Sequence, residues 1–97
     1  GAHAPVQAFD HDTVRFTPLR HWTSPATGTR YPVQQQMACP AGRFTITAMV
    51  DDQELDSRAS TGAIYWEGLS TLTDAQGREV GRGYLELTGY AQRLRLD

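Results

Sequence analysis

The sequence predicts an all-β fold, and two observations carry this prediction. Segments that alternate apolar and polar residues, rich in β-branched and aromatic side chains, recur along the chain, which is typical of half-buried strands. No segment shows a sustained helical period, and only residues 50–60 leave room for a short helix. With 97 residues, the chain is expected to form one domain over residues 1–97, in which residues 1–12 form an arm.

The first half of the chain predicts strands separated by turn-forming residues. A short strand over 13–16 is expected to end at Pro18, because proline cannot donate to the ladder of a sheet. Residues 22–28 are dense in turn formers and predict a loop. Strands over 30–38 and 43–50 follow, and the second shows strict alternation, which indicates one buried face.

The second half predicts a long β-hairpin. After a short strand over 54–58, the outgoing arm spans 63–73, a turn with glycine at its end spans 74–77, and the return arm spans 78–90. Arms of about ten residues are long for globular strands but normal for barrel walls. We therefore expect an antiparallel lipocalin-like barrel of the calycin type, closed or partly open, with six to eight strands.

The return arm of this hairpin has two unlike faces, because strand side chains alternate. One face carries Gly81, Gly83, Leu85, Leu87 and Gly89, and the other carries Arg82, Tyr84, Glu86, Thr88 and Tyr90. The glycines indicate a bend, a bulge or the close approach of another group. The polar and aromatic face either looks outward to water, which is the simpler alternative, or lines a ligand cavity.

Two glutamates are candidate proton donors. Glu67 lies between Trp66 and Gly68, where burial would keep an acid protonated and suited to proton transfer. Glu86 on the return arm is the second candidate. The simpler alternative for Glu67 is an ion pair with an arginine, and Arg82 is the natural cross-strand partner.

Composition excludes several classes of function. The net charge is −2 and the nine basic residues are spread along the chain, which argues against a nucleic-acid partner. The single cysteine, Cys39, excludes an internal disulfide and a thiolate metal site. His3, His11 and His21 form no metal motif, so no metal and no cofactor are expected. No apolar run approaches the roughly 20 residues of a transmembrane helix, so no transmembrane segment is predicted.

Several short phrases occur in an order that resembles one known family. They are Trp22-Thr23-Ser24-Pro25, Thr27-Gly28, Tyr31-Pro32, Asp52-Gln53-Glu54-Leu55, Tyr65-Trp66-Glu67-Gly68 and the decapeptide from Gly81 to Tyr90. In this order they resemble the C-terminal half of the AttH-like family. That family includes CrtC-type carotenoid 1,2-hydratases and proteins named only as predicted secreted hydrolases.

The resemblance implies two lipocalin-like domains in one protein, with this chain matching the second. It implies a hydrophobic small molecule such as a lipid or polyene, a secreted or periplasmic location, and, in some members, cofactor-free hydration of a double bond. Partners would be an N-terminal sister domain or a second copy of the chain. The implied ligand-binding residues are Trp22, Tyr31, Tyr65, Trp66, Tyr84 and Tyr90, with Glu67 and Glu86 as catalytic candidates.

Three functions remain open at this point. The chain could be a binding module for a hydrophobic ligand, which is the favoured hypothesis. It could instead be part of a hydratase or hydrolase that uses a buried carboxylic acid, and the domain alone would then be inactive. It could also be a structural module that braces a partner or dimerises through an open sheet edge.

Overall fold

The computed structural model describes residues 13–60, 62–88 and 92–96. The strands are β1 (Arg15–Thr23), β2 (Arg30–Cys39), β3 (Gly42–Ala48), β4 (Glu54–Ser57), β5 (Ala63–Thr73), β6 (Glu79–Leu87) and β7 (Gln92–Leu96). They form one antiparallel sheet in the order β1-β2-β3-β5-β6-β7, and β4 also pairs with β5. The predicted all-β, lipocalin-like fold is confirmed in its partly open form.

The hairpin of β5 and β6 is the longest feature that the sequence predicted. Glu67 lies opposite Glu86 and Leu69 opposite Tyr84 in its register. The turn closes because the Asp74 carboxylate accepts hydrogen bonds from the backbone N–H groups of Gln76 and Arg78, each at 2.9 Å. The return arm ends earlier than predicted, and β7, which the sequence analysis did not predict, pairs beside it.

The prediction that the first strand ends at Pro18 was wrong. β1 continues to Thr23, and its pairing with β2 shifts register on both sides of Arg20. Proline is tolerated here because β1 lies at the edge of the sheet, where a missing N–H group can face away from the ladder. Trp22, which was predicted to lie in a loop, is therefore a strand residue beside Tyr31 of β2.

The inner face of the sheet forms the core. Val33, Ile46, Trp66 and Leu85, from four different strands, have no exposed surface. Apolar side chains of the two end strands, such as Phe16 of β1, are only partly buried against this cluster. The core is thus complete under the central strands and thins toward the two edges of the open barrel.

Two glycines of the inner face are required by close packing. A Cβ atom on Gly83 would lie 2.8 Å from the carbonyl oxygen of Arg95, so glycine lets β7 approach β6. A Cβ atom on Gly68 would lie 2.7 Å from the ring of Trp66, which covers that position. The predicted close approach of another group is therefore present at Gly83, and the same explanation extends to Gly68.

Candidate functional site

The sheet splits along one edge of β5. The end of β5 near Thr73 pairs with β3, whereas its beginning, near Ala63, pairs with β4. Between these pairings the chain crosses from β3 to β4 through residues 49–53. Backbone hydrogen bonds hold the segment at both ends, from Met49 N to the Leu69 oxygen at 3.0 Å and from Glu67 N to the Gln53 oxygen at 3.2 Å.

An open groove of about 330 Å³ lies over this split. It is lined by Met49, Val50, Gln53, Glu67, Gly68, Leu69 and Tyr84. Met49 and Val50 are half exposed, at 50% and 53%, although large apolar side chains are usually covered. The groove therefore combines an apolar wall with a few polar groups, which is the composition of small-molecule sites.

The structure brings two predicted site residues together in this groove. Glu67 and Tyr84 lie on the outer face of β5 and β6, since their neighbours Trp66 and Leu85 point into the core. Glu86 lies beside Glu67 on the same face. The polar and aromatic face of the return arm thus looks outward, the simpler of the two alternatives, and the glycine and leucine face fills the core.

Arginines of β7 neutralise the two glutamates of this face. Arg93 donates to the Glu86 carboxylate at 2.8 Å. Arg95 Nη2 lies 3.7 Å from Glu67 Oε1, and its guanidinium lies 5.5 Å from the centre of the Tyr84 ring, within range of a cation–π interaction. The predicted arginine pairing of Glu67 is therefore found.

Its predicted partner, however, was wrong. Arg82 instead lies 3.8 Å from Glu79 on its own strand. Arg95 takes its place because β7, absent from the predicted strands, sets Arg95 directly opposite Tyr84 and diagonal to Glu67. Both glutamates lie on the outer face in ion pairs rather than in an apolar interior. The catalytic role of Glu67 and Glu86 stays a prediction.

The remaining predicted ligand residues lie elsewhere. Trp66 is fully buried in the core, and its indole N–H donates to the Asp51 carbonyl oxygen at 2.6 Å. Trp22 and Tyr31 stack on each other with ring centres 6.2 Å apart. Tyr65 lies opposite Leu55 and outside the groove lining. Tyr90 falls outside the described residues, as does the predicted arm over 1–12.

A second polar cluster, which the sequence analysis did not identify as a site, surrounds Glu54. Three hydroxyl groups donate to its carboxylate: Ser24 at 2.6 Å, Thr27 at 2.7 Å and Tyr31 at 2.5 Å. The Ser24 oxygen also accepts hydrogen bonds from the backbone N–H groups of Ala26 and Thr27. The Glu54 carboxylate therefore ties the loop between β1 and β2 to the start of β4.

These contacts shift the pKa values of the two acidic groups in opposite directions. Burial and the adjacent Glu54 carboxylate raise the pKa of Tyr31 to about 12. Burial alone would raise the pKa of Glu54. The hydrogen bonds from Ser24, Tyr31 and Thr27 together outweigh burial, so the pKa of Glu54 is lowered. The cluster therefore holds a charged glutamate beside a neutral tyrosine over the ordinary pH range.

The sequence contained a signal for this cluster. Ser24, Thr27, Tyr31 and Glu54 all belong to the short phrases that carried the family resemblance, and the fold brings those phrases to one place. Trp66, from another phrase, lies opposite Glu54 in the pairing of β4 with β5. The joint occurrence of these phrases in the sequence, rather than any single residue type, indicated the cluster.

Two features are not found among the described residues, a metal-binding group and a membrane-crossing helix. Within residues 13–60, 62–88 and 92–96, histidine, cysteine and carboxylate side chains form no group of three or more that could hold a metal ion. In the same part of the chain, no helix has the length and apolar character needed to cross a membrane.

The family comparison agrees with the resemblance seen in the sequence. The AttH-like family model matches residues 1–90. A crystal structure of a protein from Nitrosomonas europaea, assigned as an AttH, superimposes with a TM-score of 0.77 at 51% sequence identity and covers 86% of this chain. The chain spans about a quarter (26%) of the length of that protein. Among curated proteins, none matches the chain. On these grounds, the chain belongs to the AttH-like family.

Proposed function

We propose that this domain binds a hydrophobic small molecule in the groove beside β5. The observation that carries the proposal is the pair of half-exposed apolar side chains, Met49 and Val50, beside Leu69 and Tyr84. Water contact with such a group of side chains is unfavourable, and an apolar ligand would relieve it. The AttH-like resemblance favours a lipid or polyene and a secreted or periplasmic location.

The groove is a better candidate than the inside of the barrel. The inner face is filled by its own side chains, and the nine core residues within the described part of the chain are each at most 7% exposed. A ligand there would have to displace packed groups such as Trp66 or Ile46. A ligand in the outer groove would displace only water, because Met49 and Val50 already face it.

A matched pair of substitutions tests this proposal. Val50 in the groove and Val80 on β6 are both 53% exposed, and Val80 does not line the groove. We expect Val50→Glu to weaken binding of a neutral naphthylamine fluorophore by about tenfold or more, because a charge would then lie against the apolar ligand. Fluorescence titration of the chain measures the affinity.

The control is Val80→Glu, which should leave the affinity unchanged. Circular dichroism and the thermal midpoint would establish that both variants remain folded. Equal affinities in the wild type and Val50→Glu, or no binding by the folded wild type, would contradict the proposed site.

An alternative enzymatic function has one observation in its favour, since Glu67 lines the groove. In that case Glu67 would transfer a proton to a double bond of the bound molecule, as in the hydratases of the family. Its position on the outer face, in an ion pair with Arg95, counts against it, because this hypothesis requires a buried acid. A bracing role for a sister domain or a second copy also stays a prediction.

A further inference from the structure

The polar end of the groove carries one negative charge. Glu67 lies there with 27% of its side chain exposed, beside Gln53 and Tyr84. None of the described residues that line the groove is cationic. Glu67 is therefore the charged side chain of the described groove lining, and Arg95 lies 3.7 Å from it outside that lining.

The nearby arginines are already engaged. Arg93 is bound to Glu86 at 2.8 Å, and Arg95 lies over the Tyr84 ring while facing Glu67. The charges of two glutamates and two arginines thus cancel on this part of the outer face. A carboxylate ligand would add a third negative charge next to Glu67, and like charges at close range repel.

The Glu67 carboxylate nevertheless has hydrogen-bonding capacity to offer. An ionised carboxylate accepts about four hydrogen bonds and donates none. Arg95 Nη2 lies 3.7 Å from Glu67 Oε1, which is beyond hydrogen-bonding distance, so this ion pair leaves the acceptor open. A ligand hydroxyl could donate to Oε1 while its hydrocarbon chain lies along Met49 and Val50.

From these contacts we infer that the groove selects an apolar molecule with a hydroxyl end, an aliphatic alcohol in chemical class, and rejects fatty-acid anions. The inference rests on the proposed binding function and adds its selectivity. Glu67 is the selecting residue, because it combines acceptor capacity with a repulsive charge. Gln53 and Tyr84 complete the polar end but carry no charge that would discriminate between the two ligand classes.

Three ligands of similar chain length separate the possible causes of selectivity. Octanol has a donor and no charge, octyl methyl ether has neither, and octanoate has a negative charge. Their affinities for the chain are measured by displacement of the naphthylamine fluorophore. We expect octanol to bind about fivefold tighter than the ether, which leaves the acceptor unpaired, and tighter still than octanoate.

Two substitutions then assign the selectivity to Glu67. Glu67→Gln should reduce the preference for octanol over octanoate at least about threefold, because the repulsive charge is gone. Glu79→Gln, in an ion pair with Arg82 and outside the groove lining, should leave the preference unchanged.

Octanoate or the ether binding as tightly as octanol would overturn the inference while leaving the proposed binding function intact. So would an octanol-to-octanoate preference that is the same in wild type and Glu67→Gln. Failure of the fluorophore and of all three ligands to bind would instead overturn the binding function, and the selectivity with it.

Discussion

Glu54 and Glu67 lie on neighbouring paired strands, yet their surroundings differ in kind. Glu54 accepts hydrogen bonds from three hydroxyl groups of one loop and one strand, all between 2.5 and 2.7 Å. Glu67 instead faces an arginine, Arg95, that is 55% exposed and lies 3.7 Å away at the edge of an open groove. The Glu54 carboxylate is engaged mainly in holding the fold together, and the Glu67 carboxylate has more capacity left for a ligand.

The difference shows how to separate structural from functional carboxylates in this fold. A carboxylate that already accepts three short hydrogen bonds from its own chain keeps little capacity for a substrate, whatever its place in a family motif. A carboxylate in a loose, exposed ion pair contributes little to stability and keeps acceptor capacity for a further hydrogen-bond donor. Both glutamates belong to the short phrases of the family resemblance, but only their contacts show that their roles differ.

The largest expected effect concerns Trp66, which stands between the two regions. Its side chain is fully buried, covers Gly68 and donates to Asp51 in the segment that forms the groove. We expect Trp66→Ala to lower the free energy of unfolding by about 3–5 kcal/mol, because it leaves a large cavity. Chemical denaturation measures this loss, and the fluorophore should lose affinity as well.

Trp66→Phe provides the control, because it keeps most of the ring and loses the indole N–H. A cost for Trp66→Phe close to that for Trp66→Ala would mean that the hydrogen bond to Asp51, rather than ring packing, dominates.

The next largest effect is a difference in stability cost between the two glutamates, each replaced by alanine. Glu54→Ala should lower the free energy of unfolding by about 2–4 kcal/mol, since three donors lose a charged acceptor. Glu67→Ala should cost less than about 1 kcal/mol, as is usual for an exposed ion pair. Denaturant titrations of the two variants under the same conditions give both values. Similar costs at the two positions would contradict the assignment of Glu54 as structural and Glu67 as free.

The smallest effect is the pH dependence of the hydrogen bond between Tyr31 and Glu54. The folded state raises the pKa of Tyr31 from 10.0 to about 12, so stability from this group is fully present below pH 10 and is lost as pH rises toward 12. The pKa of Glu54 is lowered, so its contribution is present above its ordinary value of 4.5 and is lost as pH falls through the folded value.

Tyr31→Phe should therefore cost about 1–2 kcal/mol at neutral pH, and this cost should shrink above pH 10. The measurement is the difference in unfolding free energy between wild type and variant as a function of pH. A difference that stays constant up to pH 12 would show that the Tyr31 hydroxyl does not titrate with folding.

Much of the strand pattern could be read from alternation alone. The strands over 63–73 and 30–38 were predicted to within one residue of their ends, because buried strands keep a regular alternation of apolar residues. β1 was cut short at Pro18, since the sequence does not reveal that this strand lies at a sheet edge. β7 was not predicted at all, although Leu94 and Leu96 alternate with arginines there.

The candidate site was predicted less completely from the sequence than the strands were. Glu67 and Tyr84 were identified, but Met49, Val50 and Leu69 of the same groove were not. Val50 was predicted to continue the strand over 43–50, but β3 ends at Ala48, and Leu69 lies within β5. Alternation indicated strands for both residues and gave no sign of a shared groove. Their common position depends on where β3 leaves β5 and β4 joins it, which is a property of the sheet rather than of any segment.

The sequence by itself determined the fold class, the hairpin of β5 and β6, and the family, because each rests on local alternation, turn residues or short phrases. Only the tertiary structure shows which face of β6 is inside, that Arg95 rather than Arg82 meets Glu67, and that three short hydrogen bonds engage Glu54 but not Glu67. These outcomes depend on cross-strand register and on the split beside β5. Register is set by long-range pairing, and a shift of one residue would reverse every face.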